Sequence, residues 1–239
     1  MRREYVPGKY VEDLVARWPS PVKNYSQVPE AHVLYRKVLA AQPDQSVVIA
    51  AHGFLMNLEH LLNSTADKYS ALNGTELVAR KVNQIVVMAG QYPTSNPPGH
   101  EWNMGGGCSE SVCAESSAAS AYVVSHLPAS VPTVFSGFEV GSRIHTGTRL
   151  LSGQDCPSSI PANPCRRAFA DYCAHTKNTW RESWDSVTTL FAVRGPQDFE
   201  TLRRGHNVVN GQLVNDQWHV SWAVGLTLGY NVTPLLPRD

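Results

Sequence analysis

The chain has 239 residues, 42% of them hydrophobic and 17% charged, which fits a folded globular domain with a sizeable core and excludes a disordered chain. Lys and Arg together number 20, as do Asp and Glu, so the formal net charge is zero and nucleic-acid backbone binding is not expected as the main task. No apolar run is long enough to span a membrane, and Met1-Arg2-Arg3-Glu4-Tyr5 lacks the apolar core of a signal peptide.

In chain order, the first 45 residues are expected to be mostly irregular, broken by Pro7, Pro19, Pro21 and Pro29. The exception is an amphipathic helix over Ala31 to Ala41, with Leu34, Val38 and Leu39 on one face. Ser46 to Ala51 is a short continuous apolar run, the pattern of a strand buried on both faces in a parallel sheet. His52-Gly53 then turns the chain into a helix carrying Phe54, Leu55, Leu58, Leu61 and Leu62, and a second helix leads to Lys81. Gln84 to Met88 reads as the next strand, followed by small residues and a loop rich in Gly and Pro. A small-residue helix is expected from about Ser111 to Leu127, and a third strand over Pro132 to Phe138. Gly141 to Asn163 reads as loop, with helices at about Arg166 to His175 and Val187 to Val193. Asn210-Gly211, between two β-like runs, predicts a hairpin turn. The alternation of strands and helices predicts an α/β fold: one domain over residues 1–239 with an open, mostly parallel, Rossmann-like sheet flanked by helices.

In such sheets ligands bind beyond the carboxyl ends of the strands. Glu101-Trp102-Asn103-Met104 lies in the loop after the second strand and offers a carboxylate and an amide suited to vicinal hydroxyls. Asp185 stands at the start of an apolar helix, where it either faces a cleft or answers the helix dipole. Its neighbour Trp184 reads as a stacking platform or as a core residue. His52 and Glu139 each follow a strand, as ligand or base candidates or as local structural residues. There is no GxSxG elbow, no Walker A loop and no GxGxxG after a strand. A general α/β hydrolase or a sugar-binding protein with a Glu/Asn pocket stays open as a separate reading, the missing elbow counting against the former.

The five cysteines match no zinc spacing; Cys108 with Cys113, or Cys156 with Cys165, could close loop disulfides, and free thiols are the alternative. Asn24, Asn63, Asn73 and Asn231 begin Asn-x-Ser/Thr sequons, which fits a secretory route without fixing the compartment.

Taken in order, Val47 to Asn57 (VVIAAHGFLMN), Ile85 to Gly90 (IVVMAG), Glu101-Trp102-Asn103, Pro132 to Gly147 with its Gly-Phe-Glu, and Ser183-Trp184-Asp185 resemble the inosine/uridine-preferring nucleoside hydrolase family. The resemblance implies hydrolysis of the N-glycosidic bond of ribonucleosides to ribose and free base, with a Ca²⁺ that binds the attacking water and the ribose hydroxyls. It implies that Asp185 is a Ca²⁺ ligand contacting a ribose hydroxyl, with the His52 backbone carbonyl as a further ligand. Glu101 and Asn103 would hold ribose hydroxyls, and Met88 would lie against the sugar. Trp184 stands where better-known members carry a His that assists the leaving base, and indole N–H is a donor but not an acid. The family's Asp-x-Asp-x-x-x-Asp-Asp motif, with its catalytic base and most Ca²⁺ ligands, has no counterpart in these 239 residues. The expectation is therefore a nucleoside hydrolase fold lacking its first strands. It would be either a piece of a working hydrolase or a non-catalytic ribose- or nucleoside-binding relative, and its exposed sheet edge would favour self-association. The expected partner is a nucleoside, not a nucleic acid or a membrane.

Overall fold

The computed structural model describes residues 9–91, 101–106, 111–151, 163–214, 217–223 and 229–234. In chain order the elements are α1 (Lys9–Arg17), α2 (Ala31–Ala40), β1 (Val47–Ala51), α3 (Met56–Leu62), α4 (Gly74–Lys81), β2 (Val82–Met88), α5 (Ser111–His126) and β3 (Thr133–Ser136). There follow α6 (Phe138–Gly141), β4 (His145–Thr146), α7 (Pro164–Thr176), β5 (Arg181–Glu182), α8 (Trp184–Arg194), β6 (Phe199–Val214), β7 (Gln217–Ala223) and β8 (Gly229–Pro234). They form two compact units, Pro29–Ser142 with Trp184–Asp239, and Met1–Val28 with Arg143–Ser183.

The larger unit is an α/β sheet in the order β1-β2-β3-β8-β6-β7. β1, β2, β3 and β8 run parallel, and β6 and β7 are added antiparallel. The continuous apolar runs predict this placement: Ile85, Val86, Val87 and Met88 are all buried, as a strand covered on both faces requires. Alternate side chains serve opposite faces. Ile85 and Val87 join Leu58, Leu61, Leu77, Val78 and Val123 from α3, α4 and α5 in one core cluster. α8 packs against β1, β2 and β3 and buries Val187 and Phe191. Among the described residues β1 pairs with β2 alone, so it stands at the sheet's edge with Val48 exposed.

Arg36, on α2, is only 1% exposed, because one guanidinium completes the loop between α3 and α4. It donates to Ser64 Oγ (3.0 Å), Ser70 O (3.1 Å) and Leu72 O (2.8 Å) and pairs with the Asp67 carboxylate (2.9 Å). That guanidinium holds the Asp67 carboxyl down at about 2.

The smaller unit packs α1 and α7 together with a two-stranded β4–β5 ribbon. Arg167 is clamped between Asp13 (2.7 Å) and Asp171 (2.7 Å), and Leu151, Ala170 and Cys173 form its core with Phe169.

Several expectations are corrected. α1 occupies part of a stretch expected to be irregular; its i,i+4 Asp13–Arg17 pair is a local helix signal that the prolines around it obscured, and packing on α7 stabilises it further. The third strand ends at Ser136, and Phe138 opens α6, because the Phe138 N–H turns to donate to Gly90 O (2.8 Å). Asn210-Gly211 makes no hairpin turn: β6 runs through it, and the register against β7 slips between Val209 and Leu213. The Val209↔Val220 and Leu213↔Trp218 pairs put two extra residues on β6, so the flexible dipeptide is absorbed as a bulge. Cys165 is a free, exposed thiol, which overturns its pairing with Cys156, whereas the buried Cys173 is disulfide-bonded. The side chains of Cys108, Cys113 and Cys156 lie outside the described residues, as do residues 152–162.

Candidate functional site

The carboxyl ends of β1 and β2 and the first turn of α8 bring the sequence-predicted residues together. Gly90, at φ 81°, turns the chain out of β2 in a left-handed conformation suited to glycine. Its N–H donates to Glu101 Oε2 (2.9 Å), which also accepts from Met104 N–H (3.1 Å), while Oε1 accepts from Asn103 N–H (2.9 Å). Glu101 thereby caps the short 3-10 turn Trp102–Met104 and ties it to the strand end. A carboxylate has about four acceptor positions, so these three N–H groups leave roughly one for a ligand hydroxyl. Glu101 is 7% exposed. Burial is the largest influence on its carboxyl and pushes it up to about 7, the three N–H groups oppose the shift, and the nearby negative Asp185 adds to it.

Asn103 is fixed by its amide. Nδ2 donates to Met88 O (2.9 Å) and touches Met88 Sδ (2.9 Å), and Ser116 Oγ of α5 donates to Asn103 O (3.3 Å). Met88, the last residue of β2, is buried beneath it.

Asp185, in the first turn of α8, is the exposed carboxylate of the group, its side chain 67% accessible. His52, just past β1, places Nδ1 3.6 Å from Asp185 Oδ1, an ion-pair distance when the imidazole is protonated and too long for a hydrogen bond. Thr189 Oγ1 donates to Asp185 O (2.9 Å), which leaves its oxygen to accept from His52 Nε2 (3.1 Å). The sequence offered the His52 imidazole as a ligand or base candidate and the family resemblance gave it a backbone role; its contacts with Asp185 and Thr189 were missed, as was Thr189 itself. The available signal was helical spacing, which sets Thr189 one turn beyond Asp185 on the same face.

Two stacked aromatic pairs flank these groups. Phe54 lies against Trp102 (6.1 Å between ring centroids) and Phe138 against Trp184 (5.3 Å). Trp184 Nε1–H donates to Phe138 O (2.9 Å), so the indole is anchored to α6. Gly141 makes this contact feasible: a Cβ there would collide with the backbone of Trp184. Glu139, the other sheet-end acid, sits in the first turn of α6. A half-open pocket of about 190 Å³, lined by Tyr35, Ala51, His52, Phe54 and Asn57 among others, opens along β1. It is smaller than the roughly 300 Å³ or more of ordinary small-molecule sites, so it does not enclose a whole nucleoside.

The residues present do not fit a Ca²⁺ ion, which takes about six to eight oxygens. Glu101 is largely occupied by backbone N–H groups, Asp185 leans on His52, and among the described residues no group of three or more His, Cys, Asp or Glu is close enough together to hold a metal ion.

The sequence matches no protein-family model and no curated protein. Among solved structures, a plant nucleoside hydrolase, the PpNRh1 enzyme, is similar over 98% of this chain and 71% of its own, with a TM-score of 0.62 and 15% identity. The inosine-uridine preferring nucleoside hydrolase from Bacillus anthracis is similar over 86% of this chain and 61% of its own, with a TM-score of 0.52 and 15% identity. This likeness establishes the architecture: an open, mostly parallel α/β sheet flanked by helices, in the nucleoside hydrolase fold.

Proposed function

We propose that this chain binds ribonucleosides at the carboxyl edge of its parallel sheet, and that its reaction class is hydrolysis of the N-glycosidic bond to ribose and free base. The observation that carries the reading is the convergence of His52, Glu101, Asn103 and Asp185 at adjacent strand ends of a sheet whose structural neighbours are nucleoside hydrolases. Asp185 is the carboxylate exposed enough to accept from ribose hydroxyls, and Asn103, seated on Met88 at the end of β2, offers a second polar group. Trp184 and Trp102 offer flat apolar surfaces to a sugar or base. Trp184 cannot protonate a leaving base, and its N–H is already committed to Phe138 O.

By themselves these residues supply a ribose-binding half-site, and turnover by the 239-residue chain is expected to be little or none. A second reading, a nucleoside- or ribose-binding protein without turnover, is favoured by one observation: three of the roughly four acceptor positions of Glu101 are taken up by backbone N–H groups. Calorimetric titration with inosine, uridine and ribose, beside a base-release assay with Ca²⁺ and with a chelator, tests both. Binding that Asp185→Asn weakens at least tenfold, with negligible release, supports the half-site. Absence of binding to all three ligands refutes it, and robust chelator-sensitive release refutes the expectation of an inactive chain.

A further inference from the structure

Of the four sequons, the three at Asn24, Asn63 and Asn73 place their asparagine at an exposed position. In each, the folded structure uses only the amide oxygen. Asn24 Oδ1 accepts from Ser26 N–H (3.1 Å), Asn63 Oδ1 from the Tyr122 hydroxyl (3.2 Å), and Asn73 Oδ1 from Glu76 N–H (2.9 Å) as the cap of α4. No described hydrogen bond engages Nδ2 of the three. The non-sequon Asn103 is the opposite case, its Nδ2 committed to Met88 O. Capping needs an oxygen acceptor, and Asp or Ser would supply one as well as Asn. Local structure therefore accounts for the oxygen at position 73 and leaves the nitrogen without a use.

Asn63 and Asn73 bracket one loop, closed by Gly74 N–H to Ser64 O (2.7 Å) and by Thr75 Oγ1 to Leu62 O (3.1 Å), and held from below by Arg36. The fourth asparagine, Asn231, lies on β8 inside the sheet, with Phe135 of β3 and Arg203 of β6 as its two cross-strand partners. An independent observation points to the same compartment: Cys173 is fully buried and disulfide-bonded, and disulfides persist where the surroundings are oxidising.

We propose that Asn24, Asn63 and Asn73 carry N-linked glycans and that Asn231 does not. The donor is a lipid-pyrophosphate-linked oligosaccharide. The asparagine Nδ2 forms a bond to the anomeric carbon, the bond from that carbon to the pyrophosphate oxygen breaks, and its electron pair leaves with the lipid pyrophosphate. One Nδ2 proton passes to a base of the transferase, and nothing is oxidised or reduced. The product amide retains Oδ1, so the cap of α4 and the Tyr122 contact survive the modification. The proposal does not depend on nucleoside binding.

The test is expression of the full chain behind a secretory leader in eukaryotic cells. The secreted protein is deglycosylated by an amidase in ¹⁸O-labelled water and mapped by peptide mass spectrometry. Label at Asn24, Asn63 and Asn73 and none at Asn231 is expected. Asn63→Asp and Asn73→Asp should each remove one mobility step from the secreted protein on a gel. Folded, secreted protein unlabelled at both Asn63 and Asn73 would overturn the proposal. So would label at Asn231, or a chain secreted only when the three exposed sequons are destroyed.

Discussion

Glu101→Gln should destabilise the protein in acid and cease to do so in alkali. In the folded chain the Glu101 carboxyl is raised from the ordinary 4.5 to about 7, chiefly by burial. A raised acid binds its proton more tightly folded than unfolded. Its contribution to stability is therefore complete below pH 4.5 and is lost as the pH climbs through 7. A shift of that size corresponds to about 3 kcal/mol. Glutamine carries no charge, so this dependence disappears in the variant. Glutamine also has one carbonyl oxygen where Glu101 uses two. Seated against Gly90 and Met104 N–H, its amide nitrogen would face the Asn103 N–H, donor against donor. The lost hydrogen bond costs about 1–3 kcal/mol at every pH. At pH 4.5 the variant should be less stable by that amount, and near pH 8.5 it should equal or exceed the parent. Urea unfolding at pH 4.5, 7 and 8.5 reads the difference. A penalty that is constant, or that grows with pH, would refute the assignment of Glu101 as a buried carboxylate strained by its own charge.

Gly141→Ala drives a Cβ into the Trp184 backbone at the start of α8. It should cost about 2 kcal/mol by overpacking and weaken nucleoside binding by displacing Asp185, measured by thermal unfolding and calorimetry; a neutral substitution would mean that α6 and α8 are not in contact. Arg36→Met leaves Ser70 O and Leu72 O without their buried donor and should cost about 3 kcal/mol in urea unfolding. In the parent, the depressed Asp67 carboxyl contributes stability that is present above pH 3.8 and lost as the pH falls through 2, so the variant should show a flatter acid limb; an unchanged limb would contradict the pairing.

Periodicity determines much of this protein. The continuous apolar run at Ile85 is buried on both faces within the parallel sheet, whereas the similar run at Val47 forms an edge strand that leaves Val48 exposed, and the helix after it follows from the spacing of Leu58, Leu61 and Leu62. The order of motifs and their strand-end placement marked the nucleoside hydrolase fold and brought His52, Glu101, Asn103 and Asp185 forward as a group. Local signals misled where a tertiary partner outweighed them. Asn210-Gly211 is turn-forming in isolation, but β7 pairs with β6 both before it, at His206 to Val209, and after it, at Leu213 and Val214, and so carries the strand through. β8 itself, inserted between β3 and β6, depends on long-range pairing that short-range patterns do not carry. At the site, the residue types were legible in the sequence and their present use was not. Glu101 looked like a hydroxyl-binding acid, yet it spends most of its acceptor capacity on the loop that presents Asn103, and Trp184 spends its N–H on Phe138. Hydrogen-bond saturation and burial arise from atoms distant in the chain, so the sequence offered the candidate residues while the tertiary structure decided which of them still faces solvent.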